Sequence, residues 1–214
     1  MRRDVKDYKL YVFDLDGTLY DQPRLRLIMA IRLLSYYVLH PFSASELFIL
    51  QHFRKVKDSW TESSSEDDII ARVASDKNTD PKKVSGIVRK WIYEDPLSAI
   101  VKTKDESLCN WMASLRRDGK KVVILSDYPT EDKLHALGVE VDGQYGPDDE
   151  RIDELKPSPK GLKVIMSDLG VSSDDTLMIG DRKEKDGMCA EACGVDHLIL
   201  PRKVSKRKHE DLGY

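Results

Sequence analysis

Cysteine is scarce in this sequence, and so is an excess of charge of either sign. Three cysteines among 214 residues are too few for a disulfide framework, and their odd number favours a reducing, cytoplasmic setting. Thirty-five basic and 38 acidic residues leave a net charge of −3, so the chain lacks the positive field that attracts nucleic acid. We therefore expect no nucleic-acid partner, and the oligomeric state stays unknown.

Long hydrophobic runs are also missing. The most apolar segment, residues 25–39, is 15 residues long and contains Arg26 and Arg32, whereas a membrane-spanning helix needs about 20 apolar residues. The N-terminal stretch MRRDVKDYKLYVFDL is basic but has no apolar core of the kind found in signal peptides. A composition of 40% hydrophobic and 34% charged residues suits a soluble globular protein, and we expect no membrane partner.

Four short apolar runs predict the strands of a parallel sheet. They are Leu10–Phe13, Val122–Leu125, Thr176–Ile179 and His197–Leu200, and a further strand is expected between Val139 and Tyr145. Consecutive apolar positions place hydrophobic side chains on both faces, which indicates strands covered on both sides. Helical spacing separates the runs, so the pattern predicts an α/β fold with a doubly wound, Rossmann-like sheet.

Residues 22–100 interrupt this alternation with a stretch that shows no convincing strand. Helices are predicted from Pro23 to about Leu39, from Ser45 to about Lys57, over Glu66–Ser75, and onward from the capping pair Asp80-Pro81. We therefore predict an all-helical subdomain at 22–100, inserted into a catalytic core made of residues 1–21 and 101–214.

Two aspartates end the first strand on the same side. Side chains alternate along a strand, so Asp14 and Asp16 lie roughly 6–7 Å apart along the chain. Ligands of open α/β sheets bind at the carboxyl ends of the strands. Because two carboxylates repel each other unless a cation or a shared proton intervenes, the pair predicts a site built around a metal and a proton transfer. The alternative is an Asp-Gly turn with solvated carboxylates.

Further polar residues are expected at the same edge of the sheet. Ser126 and Asp127 follow the second predicted strand, Asp181 and Asp186 follow the third, and Lys156 lies in a proline-rich loop. Each also has a simpler interpretation. Ser126 could cap a turn, Lys156 could lie on the surface, and the two later aspartates could belong to the first turn of a helix.

These motifs, in this order, resemble those of the haloacid dehalogenase-like hydrolase superfamily. The resemblance lies in DLDGTL at 14–19, Ser126, Lys156 and the GDRKEKD run at 180–186, and it covers residues 9–21 and about 105–200. It implies a Rossmann-like core, a helical cap in the place of the insert, and Mg²⁺ as cofactor.

The resemblance also implies a role for each residue that matches. Asp14 is similar to the nucleophile that becomes an aspartyl-phosphate, and Asp16 to the general acid, whose backbone carbonyl also binds Mg²⁺. Ser126 and the backbone N–H of Asp127 would hold the phosphoryl oxygens, while Lys156 would neutralise charge on the nucleophile and the phosphoryl group.

Two later aspartates complete the implied metal set of Asp14, Asp16, Asp181 and Asp186. Asp181 would ligate the metal, and Asp186 would be a second ligand or would hold Lys156. Oxygen ligands of this kind suit Mg²⁺. Glu184 and the basic C-terminal stretch PRKVSKRKHED are expected to be solvated.

The second aspartate separates the reactions known in the superfamily. Dehalogenase members are expected to lack an acid at the position of Asp16, because a halide leaves without a proton. We therefore expect a Mg²⁺-dependent phosphomonoester hydrolase acting on a small phosphorylated metabolite. The alternatives are a phosphomutase of the beta-phosphoglucomutase type and, from another class, a catalytically silent binding module that keeps the fold.

Overall fold

A five-stranded parallel sheet forms the centre of the protein. The computed structural model describes residues 4–59, 65–146 and 149–207. The strand order is β3-β2-β1-β4-β5, with β1 (Leu10–Phe13), β2 (Lys121–Leu125), β3 (Gly143–Tyr145), β4 (Thr176–Gly180) and β5 (Asp196–Ile199). All four predicted strands are confirmed to within one residue at each end, and the further strand between Val139 and Tyr145 is β3.

Helices fill most of the remaining described chain. In chain order they are α1 (Gln22–Leu39), α2 (Glu46–Ser59), α3 (Glu66–Asp76), α4 (Pro81–Val88), α5 (Leu97–Ile100), α6 (Glu106–Arg117), α7 (Glu131–Leu137), α8 (Lys160–Leu169) and α9 (Met188–Glu191). Two π-helical turns occur at Arg89–Glu94 and Lys183–Gly187. Short 3₁₀ turns occupy Pro41–Ser43, Val101–Thr103, Ser173–Asp175 and Val204–Lys206.

The central strand, β1, is covered on both faces of the sheet. All four residues of β1 are fully buried, and alternate side chains point to opposite sides. Leu10 and Val12 join an apolar cluster that includes residues of α8 and α9. On the other face, Trp111 of α6 packs edge-on against Tyr11 and Phe13, with ring centroids 5.8 and 5.7 Å apart. The predicted doubly wound α/β fold is confirmed.

The chain folds as two compact units. One contains the sheet and comprises the described residues up to Arg24 and from Ile100, and the other is Leu25–Ala99. Within its described part, residues 25–59 and 65–99, the second unit has helical elements and no strand. The stretch TESSSEDD at 61–68, whose polar composition predicts a connector, lies partly outside the described residues. A cap function for this unit stays a prediction.

Local capping explains where two helices of the second unit begin. Ser65 accepts a hydrogen bond from the backbone N–H of Asp68, whose carboxylate accepts in return from the N–H of Ser65. Asp80 accepts from the N–H of Lys82 at 2.8 Å and precedes Pro81, the first residue of α4.

Among the described residues, no single helix is both long enough and apolar enough to cross a bilayer. Taken together, the segments Gln22–Leu39 and Pro41–Lys57 have the length and the apolar composition of a membrane span, but the chain bends by 119° between them.

Candidate active site

Three of the predicted site residues meet where neighbouring strands end. Asp14, Ser126 and Asp181 directly follow β1, β2 and β4, and β1 lies between the other two strands. The backbone N–H of Asp14 donates to the carbonyl of Ile179 at 2.8 Å, which extends the pairing of β1 with β4 past its last residue. Parallel strands thus bring together residues that lie far apart in the chain.

The ammonium group of Lys156 is the central cation of this site. Its Nζ lies 2.5 Å from Asp14 Oδ1 and 2.7 Å from Asp186 Oδ1, and it also donates to the carbonyl of Leu125 at 3.2 Å. The residue is 4% exposed, so the interpretation as a surface lysine is wrong. A buried ammonium group needs such partners, because an isolated charge inside a protein is strongly disfavoured.

Burial and charge act in opposite directions on this pair. Burial acts to lower the pKa of Lys156, but the carboxylates of Asp14, Asp186 and Asp127 outweigh it and hold the pKa above its usual value. Burial raises the pKa of Asp14 to about 7, an effect that Lys156 opposes and Asp186 reinforces. The lysine therefore stays charged, and the carboxyl of Asp14 depends on nearby positive charge to stay ionised.

The loop after β1 orients Asp14 from its other side. Thr18 Oγ1 donates to Asp14 Oδ2 at 2.9 Å, and both residues are buried. Asp14 therefore has one oxygen beside Lys156 and the other beside Thr18. This arrangement fixes the carboxylate in one orientation, as a nucleophile requires.

Asp181 is the residue whose surroundings best fit a metal ion. One carboxylate oxygen each from Asp14, Asp181 and Asp186 lie within 4.8 Å of one another. Among the described residues, neither oxygen of Asp181 has a hydrogen-bond partner, although both are buried. Arg202 Nε lies 3.3 Å from Oδ2 and forms an ion pair without hydrogen-bond geometry. Burial, and then Asp186, raise the pKa of Asp181. An oxygen-binding divalent cation would satisfy this carboxylate.

Asp186 is already engaged by protein groups. Its Oδ1 accepts from Lys156 and its Oδ2 accepts from the backbone N–H of Arg182 at 3.0 Å. Of the two roles left open by the sequence, the contacts favour holding Lys156. The carboxylate of Asp16 is outside the three-residue cluster, so any metal contact of Asp16 would come from its backbone carbonyl, as the resemblance implies.

Asp16 is held by two residues that the sequence did not identify. Lys133 Nζ, on α7, lies 2.6 and 2.9 Å from the two oxygens of Asp16, and the hydroxyl of Tyr20 donates to Oδ1. Lys133 is 7% exposed. One signal was present in the sequence. The helix dipole disfavours a lysine in the first turn of a helix, so a lysine at this position indicates a compensating anionic partner. Burial and Asp16 raise the pKa of Tyr20, which keeps its hydroxyl protonated as a donor.

Ser126 and Asp127 connect the end of β2 to the neighbouring loops. Ser126 Oγ accepts from the N–H of Tyr128 at 3.1 Å and lies 3.5 Å from Asp16 Oδ2. The serine thus caps a turn and also lies beside the candidate acid. Asp127 accepts from the N–H of Lys156 at 3.1 Å and from Lys185 Nζ at 3.1 Å. Burial would raise the pKa of Asp127, but Lys156 and Lys185 outweigh it and the pKa is lowered.

Two glycines allow the strand ends to approach one another. Gly17 has φ of +100°, and a Cβ there would lie 2.7 Å from Asp181 Oδ2. A Cβ at Gly180 would overlap the carboxylate of Asp186. A side chain at either position would displace a carboxylate of the acidic cluster, so both positions require glycine.

Solvation was expected both for Glu184 and for the basic C-terminal stretch, and the structure differs between the two. Glu184 is 65% exposed and pairs with Arg202 at 3.2 Å, in line with its expected solvation. The expectation that the C-terminal stretch is solvated is wrong at Arg207, whose side chain is 5% exposed and pairs with Asp105. A run of mixed basic residues gave no signal that one of them would be buried. Residues 208–211 of the stretch lie outside the described residues.

The comparisons with known proteins identify the family. A model described as a haloacid dehalogenase-like hydrolase matches residues 8–194. The chain belongs to this family. The match covers most of the sequence, so the protein is a hydrolase of this family. The comparison with curated proteins found no match.

Solved structures show how the family fold is shared. A 2-haloacid dehalogenase from Pseudomonas syringae pv. tomato DC3000 has 14% identity and a TM-score of 0.62, covering 90% of this chain and 86% of that one. The putative HAD-hydrolase YfnB from Bacillus subtilis, bound to magnesium, has 14% identity and a TM-score of 0.61, covering 90% and 88%. A predicted phosphoglycolate phosphatase from Haemophilus somnus 129PT has 16% identity and a TM-score of 0.58, covering 96% and 91%. At these identities the likeness establishes the fold.

Proposed function

We propose that this haloacid dehalogenase-like hydrolase is a Mg²⁺-dependent phosphomonoesterase that acts on a small phosphorylated metabolite. The observation that carries the proposal is a pair of acids in different surroundings. Asp14 is fixed between Lys156 and Thr18, while Asp16 is held separately by Lys133 and Tyr20. Two acids held apart in this way suit two roles, attack and proton transfer.

In the first step a carboxylate oxygen of Asp14 attacks the phosphorus atom. The bond from phosphorus to the ester oxygen breaks, and Asp16 gives its proton to the departing alkoxide. The product is an alcohol and a phosphoryl group bound to Asp14. Lys156, charged and 2.5 Å from Asp14 Oδ1, balances the negative charge that gathers at the nucleophile and at the phosphoryl oxygens.

In the second step a water molecule attacks the same phosphorus atom. Asp16 takes a proton from that water, the Asp14–phosphoryl bond breaks, and inorganic phosphate leaves. Lys133 lies 2.6 Å from Asp16 Oδ1 and keeps this carboxyl group in place for both steps. Ser126 lies next to Asp16 and is placed to donate to a phosphoryl oxygen.

The residues that would hold Mg²⁺ are Asp14 and Asp181, together with the backbone carbonyl of Asp16. When bound, the ion would neutralise phosphoryl charge and orient the group for in-line attack. The buried oxygens of Asp181, which accept no hydrogen bond from the described residues, support this assignment, and so does the magnesium bound to YfnB.

The presence of Asp16 favours phosphoryl chemistry over dehalogenation. Some structural relatives are 2-haloacid dehalogenases, and both reactions can begin with attack by an aspartate. A halide leaves without a proton, whereas an alkoxide needs one, so only phosphate ester cleavage has a use for an acid held beside the nucleophile. The proposed location is the cytoplasm, where the three free thiols would stay reduced.

The test is phosphate release from a panel of phosphate monoesters, with and without Mg²⁺. We expect turnover that requires Mg²⁺ and falls at least about 10³-fold in Asp14→Asn, while the exposed control Asp118→Asn keeps wild-type rates. Halide release from 2-haloacids is measured in parallel. Halide release without phosphate release, or equal phosphatase rates for wild type and Asp14→Asn, would contradict the proposal.

A further inference from the structure

An arginine near the C-terminus reaches the loop that follows the candidate nucleophile. Arg207 Nη2 donates to the carbonyl of Gly17 at 2.7 Å, and Nη1 donates to the carbonyl of Thr18 at 2.6 Å. Its Nη1 is also 2.8 Å from Asp105 Oδ2, and its Nε donates to the carbonyl of Pro201 at 2.8 Å. Every nitrogen of the guanidinium group therefore has an acceptor.

The two carbonyls belong to the turn that sets the positions of both candidate acids. Thr18 donates to Asp14, and Tyr20, two residues later, donates to Asp16. The turn has no regular secondary structure, and Gly17 adopts φ of +100°. A rigid, planar donor that binds two successive carbonyls restrains such a turn more tightly than a flexible ammonium group would.

The same C-terminal segment is tied to the turn at a second point. The N–H of Val204 donates to Asp21 Oδ2 at 3.1 Å. Asp105 is not only the ion-pair partner of Arg207, because its own N–H donates to the carbonyl of Leu19 at 2.9 Å. Residues 204–207 thus bind the stretch from Gly17 to Asp21 directly and through Asp105.

We propose that Arg207 is a positioning residue for the nucleophile loop, which holds Thr18 and Tyr20 where they orient Asp14 and Asp16. The arginine does not touch the reacting atoms. Its effect on turnover rests on the proposed function, whereas its effect on the loop does not. The two claims can therefore fail separately.

The experiment compares Arg207→Met and Arg207→Lys with the adjacent, exposed control Lys206→Met. In Arg207→Met we expect kcat for a phosphate monoester to fall about 10–100-fold with KM within about threefold, because substrate binding groups are untouched. Arg207→Lys should recover part of kcat, since the lysine ammonium group can donate to a carbonyl but does not have the planar guanidinium group that binds both carbonyls at once. The control should keep both parameters.

Hydrogen exchange tests the loop without using activity. The amides of Thr18 and Leu19 donate to the carbonyl of Leu15 at 3.2 and 3.0 Å. Arg207→Met should lose protection at these two amides while β1 and β4 stay protected. A variant with wild-type exchange and kcat would overturn the proposal. So would loss of protection throughout the sheet with kcat lowered only by the unfolded fraction, because the role would then be merely structural.

Two further results keep the test decisive. If Arg207→Met does not fold, Arg207→Lys is compared with wild type in its place. Unchanged loop exchange and kcat in Arg207→Lys would then contradict the proposal that the two-carbonyl contact of the guanidinium group restrains the loop. If wild-type protein hydrolyses no phosphate ester, the proposed function fails, and exchange at Thr18 and Leu19 still supports or overturns the positioning role.

Discussion

At the scale of single residues, the site is a set of buried charges that depend on one another. Lys156 links Asp14 to Asp186, and Lys133 pairs with Asp16. Removing one member leaves its partner charged and desolvated, a state that costs more than the pair itself contributes. Substitutions in this network should therefore act on both stability and chemistry, and matched substrates are needed to separate the two.

Lys133→Met should slow hydrolysis most for substrates with poor leaving groups. Without the lysine, Asp16 loses the contacts at 2.6 and 2.9 Å that aim its carboxylate, so proton transfer becomes inefficient. We expect kcat/KM, which reports the first step alone, to fall about 10–100-fold for an alkyl phosphate and less than about threefold for 4-nitrophenyl phosphate, whose leaving group needs no proton.

Two variants control the Lys133 measurement. Lys133→Arg retains a cation and should recover part of the alkyl phosphate rate, while the exposed Lys163→Met should behave as wild type. Equal losses on both substrates in Lys133→Met would mean that Lys133 does not act through Asp16.

At the scale of elements, strand ends were the most predictable part of the molecule. The runs at β1, β2 and β4 are apolar on both faces, and only a sheet covered on both sides buries them, so the positions of Asp14, Ser126 and Asp181 followed. Lys156 was predicted as a site residue only through its motif, because a loop lysine is solvated unless tertiary contacts bury it. The pairings of Lys133 and Arg207 depend on where α7 and the C-terminal segment pack, which periodicity does not encode.

The junction of β4 with the π-helical turn at Lys183–Gly187 should tolerate no side chain at Gly180. Alanine there would push Asp186 away from Lys156, and we expect a loss of about 1–3 kcal/mol in the free energy of unfolding, together with lost turnover. The measurement is urea unfolding followed by phosphate release.

Gly86→Ala is the matched control for this substitution. Gly86 lies in α4, and nothing lies within 4 Å of a Cβ built there. The replacement should stabilise the protein by about 0.5–1 kcal/mol, because alanine favours helix. Similar effects of the two substitutions would argue against close approach at Gly180.

At the scale of the whole molecule, metal binding should be visible as stability. A ligand that binds only the folded protein at 100 times its Kd stabilises it by about 2.7 kcal/mol. We expect Mg²⁺ to raise the midpoint of thermal unfolding of wild type and to leave Asp181→Asn almost unchanged. Ca²⁺ and Na⁺ at matched ionic strength separate specific binding from screening, and an equal response of both proteins would contradict the assignment of Asp181.

Without metal, we expect wild type to be less stable than Asp181→Asn. Because the pKa of Asp181 is raised in the folded state, ionising this carboxyl costs stability, and that cost grows as pH rises above its unfolded pKa and through its folded pKa. In EDTA, Asp181→Asn should therefore be more stable than wild type at pH 8. The difference should shrink as the pH is lowered from 8 to 4, because less of the Asp181 carboxyl is then ionised. A constant difference across this range would contradict the origin given for the shift.

Asp14 is the group that we propose receives the phosphoryl moiety. The most direct measurement is rapid quenching of wild-type protein during turnover of a radiolabelled phosphate monoester, followed by peptide mapping of the acid-stabilised product. We expect label on the peptide that contains Asp14, formed and lost at rates that match turnover, and no label in Asp14→Asn. Phosphate release at the normal rate with no label on that peptide at any time would contradict the role of Asp14 as nucleophile.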